Sequence, residues 1–162
     1  MTHSPPPRRH ATEQHKLDAA LTTLFEQYIR FNQVLGLKFV GTGPSGPTVR
    51  FEMRPDLVGH QLSGRLHGGV ISATLDAMGG LALMWAIGEK HADETAAHVM
   101  QRLAKLGTID LRVDYLRPGL GKHFTASAEV LRLGGRVGTT QMRLVNDDGT
   151  LIATAAAAYV VS

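Results

Sequence analysis

The chain has 162 residues, enough for one domain with a hydrophobic core and too short for two. Hydrophobic residues make up 43% and charged residues 19%, with 18 Gly and 7 Pro, a globular rather than a disordered composition. No cysteine is present, which excludes disulfides, thiolate metal sites and a cysteine nucleophile. The formal net charge is +3, but Arg8 and Arg9 lie near the N-terminus and the other basic residues are scattered without interleaved aromatics. That pattern argues against nucleic acid as a partner and suits an anionic ligand.

Residues 1–15 are polar and include Pro5, Pro6 and Pro7, so a flexible tail is expected ahead of a single domain over 16–162. The start has no apolar run of the kind that targets secretion, which favours a cytoplasmic location. From Lys16, the residues Leu17, Ala20, Leu21, Leu24, Phe25, Tyr28 and Ile29 recur at helical spacing as far as Leu35, with Gly36 as the stop. Two short strands follow, Leu37–Val40 and Thr48–Arg54, around a Gly- and Pro-rich turn. Residues 56–66 are expected to be loop.

The segment 67–88 is long, mostly apolar and rich in Ala, Leu and Met, which predicts a helix. Its apolar residues lie nearly all round, so it should be buried. Ser72, Thr74, Asp76, Gly79 and Gly80 within it argue against a membrane span. A connector with a short helix covers 89–105. The period then switches to two: Ile109, Leu111, Val113 and Tyr115 alternate with charged residues. Three more strands, 122–133, 136–146 and 150–161, are separated by Gly134-Gly135 and Asp147-Asp148-Gly149, which predicts an antiparallel meander. The fold class is therefore α+β, a long central helix wrapped by a five- or six-stranded antiparallel sheet. Gly79 and Gly80 each cost the helix about 0.8–1 kcal/mol relative to Ala, a cost expected where strands approach its backbone closely.

The chemistry concentrates between Gly64 and Asp76. His67-Gly68-Gly69 stands where loop becomes helix. There, backbone N–H groups lack intrahelical acceptors and the helix dipole adds positive charge. Such a site can polarise a carbonyl or hold an oxyanion. Asp76 is a carboxylate in an apolar helix, which needs partners or a task. The histidines show no metal-ligand spacing beyond His60 and His67, which lack a third ligand; no metal is expected.

His67-Gly68-Gly69 with an acidic residue nine positions after the histidine resembles the hotdog-fold acyl-CoA thioesterases, in the branch of the phenylacetate-degradation and 4-hydroxybenzoyl-CoA enzymes. Asp76 occupies the acidic position, and Gln61 stands where that family often carries a side-chain amide. The likeness extends over roughly residues 35–161, including Asp110–Pro118 and the Ala-rich last strand. The resemblance implies a hotdog fold and hydrolysis of an acyl-CoA thioester to a carboxylic acid and CoA, with no cofactor. It implies that the Gly68 N–H binds the thioester carbonyl and that Asp76 is nucleophile or general base. Gln61 would then orient water or thioester, and His67 would shape the loop.

Gly68 and Asp76 are eight residues apart, about 12 Å along one helix, too far to meet at one thioester. If both act together they come from different subunits, so a homodimer is expected, in a dimer of dimers. Gly69 beside the helix start, with Arg65, Arg117 and Arg136, are candidates for binding the substrate and its phosphates. The acyl pocket is expected among Met78, Leu81, Met84 and Trp85. The alternative is a non-catalytic acyl-CoA sensor of the same fold.

Overall fold

The structure, a computed structural model, describes residues 8–43 and 46–162. The first helix, α1 (Ala11–Thr23), starts at Ala11 rather than Lys16, because the His10 ring caps it by accepting the Thr12 N–H. Ahead of it, the Arg9 guanidinium donates to the Gly88 and His91 carbonyls, placing a cation at the C-terminus of the central helix. The expected tail is thus docked from Arg8 onward, and residues 1–7 lie outside the described residues.

The apolar pattern from Leu17 to Leu35 is not one helix. A π-helical turn, Leu24–Tyr28, follows α1, and the chain breaks at Ile29 (ψ 93°) before α2 (Arg30–Leu35). The break strands carbonyls that side-chain amides then satisfy. Asn32 Nδ2 donates to the Phe25 carbonyl at 3.0 Å and Gln33 Nε2 to the Gln27 carbonyl at 2.9 Å. Asn32 is only 3% exposed, so its amide has no water to bond instead. Gly36, at φ 73°, closes α2 in the left-handed conformation.

The strands are β1 (Lys38–Gly43), β2 (Gly46–Glu52), β3 (Val58–His60), β4 (Arg65–Leu66), β5 (Gly107–Tyr115), β6 (His123–Leu133), β7 (Val137–Asn146) and β8 (Leu151–Val160). Six form one antiparallel sheet in the order β1-β2-β6-β7-β8-β5. The meander holds for β6, β7 and β8. β5 departs from it, pairing with β8 at the sheet edge, with the long 116–122 connection leading back to β6. A register shift between Thr108 and Asp110 takes Ile109 out of the expected alternation and leaves it 58% exposed. The expected loop at 56–66 contains a 3₁₀ turn (Pro55–Leu57) and the β3–β4 hairpin.

The sheet wraps α3 (Gly68–Lys90), 11 of whose side chains or glycines are buried. This helix is long and apolar enough to cross a membrane, and here its apolar surface is spent on Phe51, Phe124, Met142 and the other core residues of the sheet. The two mid-helix glycines differ. A Cβ on Gly79 would stand 2.3 Å from the Tyr159 hydroxyl oxygen and 2.8 Å from Thr140 Oγ1, so the close approach is real there. A Cβ on Gly80 would meet only Tyr159 Cε1, at 4.0 Å. Beyond α3, α4 (Ala96–Arg102) packs on α1, and the Ala96 N–H donates to Glu13.

Candidate active site

The start of α3 is capped by its own histidine. His67 Nδ1 accepts the Gly69 N–H at 2.9 Å, and the His67 carbonyl accepts the N–H groups of Val70 and Ile71. Of the four donors in the first turn, three are therefore satisfied. The fourth, the Gly68 N–H, has no hydrogen-bond partner among the described residues. It remains available at the positive end of a 23-residue helix. The His67 ring is occupied as a cap and offers Nδ1 to the backbone rather than to a substrate.

Gly68 shares a cleft of about 360 Å³ with Arg65, Tyr115 and Arg117. Tyr115 Oη donates to the Gly68 carbonyl at 3.1 Å, fixing the helix start against the end of β5. Arg117 donates to the Leu151 carbonyl at 3.0 Å and Arg65 is exposed; both are cations beside the unpaired N–H. Gln61 lies in the exposed turn of the β3–β4 hairpin and lines neither this cleft nor the next. Arg136 follows the Gly134-Gly135 turn, which meets Lys90 at the other end of α3. Within one chain it is therefore apart from Gly68.

Asp76 lies in a second cavity, of about 250 Å³, with Ala73, Ala77, Gly80, Met84, Thr108 and Tyr159 among its walls. Its Oδ1 accepts the Thr108 hydroxyl at 2.8 Å and lies 3.3 Å from the Tyr159 hydroxyl, which also donates to the Asp76 carbonyl at 2.9 Å. No hydrogen bond to Oδ2 occurs among the described residues. Burial, and next the Asp76 charge, push the Tyr159 phenol upward in pKa, so Tyr159 stays a proton donor throughout the physiological range. Thr108 and Tyr159 were not singled out in the sequence; the Ala-rich β8 and the bulged start of β5 gave no sign that either would hold a carboxylate.

The expected acyl-pocket residues separate. Met78 and Leu81 are fully buried in the core, because they face the sheet. Trp85 stacks on Phe39 at 5.0 Å and lines a different cavity. Met84 alone of the four reaches the Asp76 cavity. Among the described residues no three His, Asp or Glu side chains gather as metal ligands. Within one chain, then, the predicted residues form two groups, Gly68 with Arg65 and Arg117, and Asp76 with its hydroxyl partners.

The family described as the thioesterase superfamily matches residues 63–153, a span that includes Arg65, Gly68, Asp76, Thr108 and Arg117 and stops short of Tyr159. The medium/long-chain acyl-CoA thioesterase YigI of Salmonella typhimurium is 39% identical over 138 residues, 85% of this chain and 89% of that protein. The protein of the same name from Escherichia coli K12 is 38% identical over the same shares of the two chains. A crystal structure of a Shewanella oneidensis protein related to the thioesterase superfamily superposes with a TM-score of 0.87 at 38% identity, covering 95% of this chain and 100% of that one. With family, relatives and hotdog architecture in agreement, this chain belongs to the thioesterase superfamily.

Proposed function

We propose that the protein hydrolyses medium- or long-chain acyl-CoA thioesters at a site shared between two copies of the chain. The observation that carries this reading is the division of the machinery along α3. An unpaired N–H at Gly68 and a carboxylate with one free oxygen at Asp76 lie about 12 Å apart on one straight helix. Strand β5 supports the way the two halves meet. Its start touches the Asp76 group through Thr108 and its end touches the Gly68 group through Tyr115. β5 is also an edge strand of the sheet. Pairing it antiparallel with its own copy, about a two-fold axis at Arg112 and with Ile109 bulged as it is against β8, sets Thr108 of each chain opposite the partner's Tyr115. Each Asp76 then faces the Gly68 N–H of the other chain.

In that site the thioester carbonyl oxygen takes the Gly68 N–H, whose alignment with the helix dipole stabilises the charge that develops on it. Asp76 is the general base. Thr108 and Tyr159 hold Oδ1, and Oδ2 takes a proton from a water that attacks the carbonyl carbon. The tetrahedral intermediate collapses, breaking the C–S bond, and the CoA sulfur leaves and takes up the proton from Asp76. The products are CoA and a carboxylic acid, which releases its proton to water and leaves as the carboxylate. Arg65 and Arg117, next to Gly68, receive the phosphates of CoA. The YigI relatives support the choice of acyl chain.

The test is thiol release from a panel of acyl-CoAs by wild type and Asp76→Ala. The expected result is turnover of medium and long chains, with kcat/KM lowered by about 10²–10⁴-fold in the variant while its far-UV spectrum and oligomeric state are unchanged. Equal turnover by the two proteins would make Asp76 a structural residue. Tight acyl-CoA binding with no turnover by wild type would select the sensor reading.

A further inference from the structure

The elbow between α1 and α2 carries an unusual surface. Tyr28 is 69% exposed and Phe31 58%, although the elbow itself is firmly built. Asn32 and Gln33 satisfy its stranded carbonyls, and Glu26 binds the Phe39 N–H and the Lys38 ammonium on β1. π-helical turns collect at functional sites, and this one delivers Ile29, Phe31 and Asn32 to the wall of the Asp76 cavity. The opposite wall is α3, at Ala73, Ala77, Gly80 and Met84, and Leu106 completes it. Apart from the Asp76 group at one end and the Asn32 amide, which is engaged by the Phe25 carbonyl, these side chains are apolar.

Gly80 has no packing reason to be glycine. Its neighbour Gly79 is pressed by Tyr159 and Thr140, whereas a Cβ on Gly80 would meet only Tyr159 Cε1, at an ordinary contact distance of 4.0 Å. A glycine in mid-helix lowers helix stability relative to alanine, and here the only thing it provides is room in the cavity. We propose that this cavity is the acyl channel, running along α3 from Asp76 past Gly80 to Met84 beneath Ile29 and Phe31, and that Gly80 and Phe31 determine the chain length accepted. The inference rests on the thioesterase reading, which puts the scissile carbonyl at Asp76. From Asp76 to Met84 the helix rises about 12 Å, and at roughly 1.2 Å per extended chain bond that accommodates about ten carbons. The CoA portion leaves in the other direction, towards Arg65 and Arg117 of the second chain.

The experiment measures kcat/KM for butanoyl-, hexanoyl-, octanoyl-, decanoyl-, dodecanoyl- and palmitoyl-CoA in wild type, Gly80→Leu and Phe31→Ala. Calorimetric binding of the corresponding free fatty acids reads the channel without turnover. Leucine at position 80 favours helix and projects into the channel, so the protein folds and the decanoyl-to-butanoyl ratio of kcat/KM falls about tenfold or more. Phe31→Ala removes the roof and lowers the same ratio by a smaller factor. A profile of unchanged shape in Gly80→Leu, whether overall activity is kept or lowered evenly, would overturn the channel. If wild type hydrolyses none of the thioesters but binds fatty acids with a length dependence that Gly80→Leu shortens, the channel stands and the thioesterase reading fails. Absence of both turnover and length-dependent binding overturns the two together.

Discussion

At its N-terminus α3 presents a backbone donor in a cleft lined by arginines; about two turns further on it presents a carboxylate in an apolar cavity. The first site is made by chain direction. Its donor exists because a helix begins there, and its positive potential comes from aligned peptide groups rather than from a side chain. The second is made by side chains from three elements, with Thr108 from β5 and Tyr159 from β8 fixing an aspartate on α3. The first can bind a carbonyl and cannot move a proton; the second can accept a proton and has no oxyanion donor beside it. Each supplies what the other lacks, and one straight helix keeps them apart.

Removing the donor from the first site should have the largest effect. Gly68→Pro deletes that N–H alone: proline suits the first helical position, and His67 already has the extended conformation (ψ 138°) that a following proline requires. We expect kcat to fall about 10²–10³-fold with the thermal transition little changed. A variant with near wild-type kcat would remove the helix start from the mechanism. The second site is loosened by Thr108→Val, which deletes the hydroxyl that holds Asp76 Oδ1. The expected loss is about tenfold in kcat with KM nearly constant, restored by Thr108→Ser. If KM alone changes, Thr108 serves binding and not the base.

The adjacent glycines sharpen the comparison through stability rather than rate. Gly79→Ala drives a methyl group into the Tyr159 hydroxyl and should destabilise the fold by about 1–3 kcal/mol. Gly80→Ala meets only Tyr159 Cε1, at 4.0 Å, and should stabilise it by about 0.8–1 kcal/mol, the helix-propensity difference. Denaturant titration of the two variants separates these signs. Shifts in the same direction would mean that the two positions are packed alike.

The sequence carried the architecture wherever a period was uninterrupted. Strands β6 to β8 were legible because alternation and Gly- or Asp-rich turns agree, and α3 because its apolar run is too long for a strand. The elbow was not legible: Leu24, Phe25, Tyr28 and Ile29 continue the helical spacing of α1 without a proline or glycine to mark the break, and the carbonyls it strands are satisfied by Asn32 and Gln33 from beyond it. Nor was the place of β5, because strand order depends on pairing across the sheet and not on local pattern. At the site, Gly68 and Asp76 could be found from one stretch of chain. Thr108 and Tyr159 come from 32 and 83 residues away, contacts that no spacing rule reaches.

The central claim, that one site draws on two chains, is tested most directly by mixing inactive variants. Asp76→Ala keeps its Gly68 donor and Gly68→Pro keeps its carboxylate. Unfolding the two together and refolding the mixture forms heterodimers in which one of the two composite sites has both groups intact. The account predicts that activity returns to about a quarter of the wild-type value for the total protein present, although each variant refolded alone stays inactive. No recovery in a mixture shown to contain heterodimers would contradict it and place the whole site within a single chain.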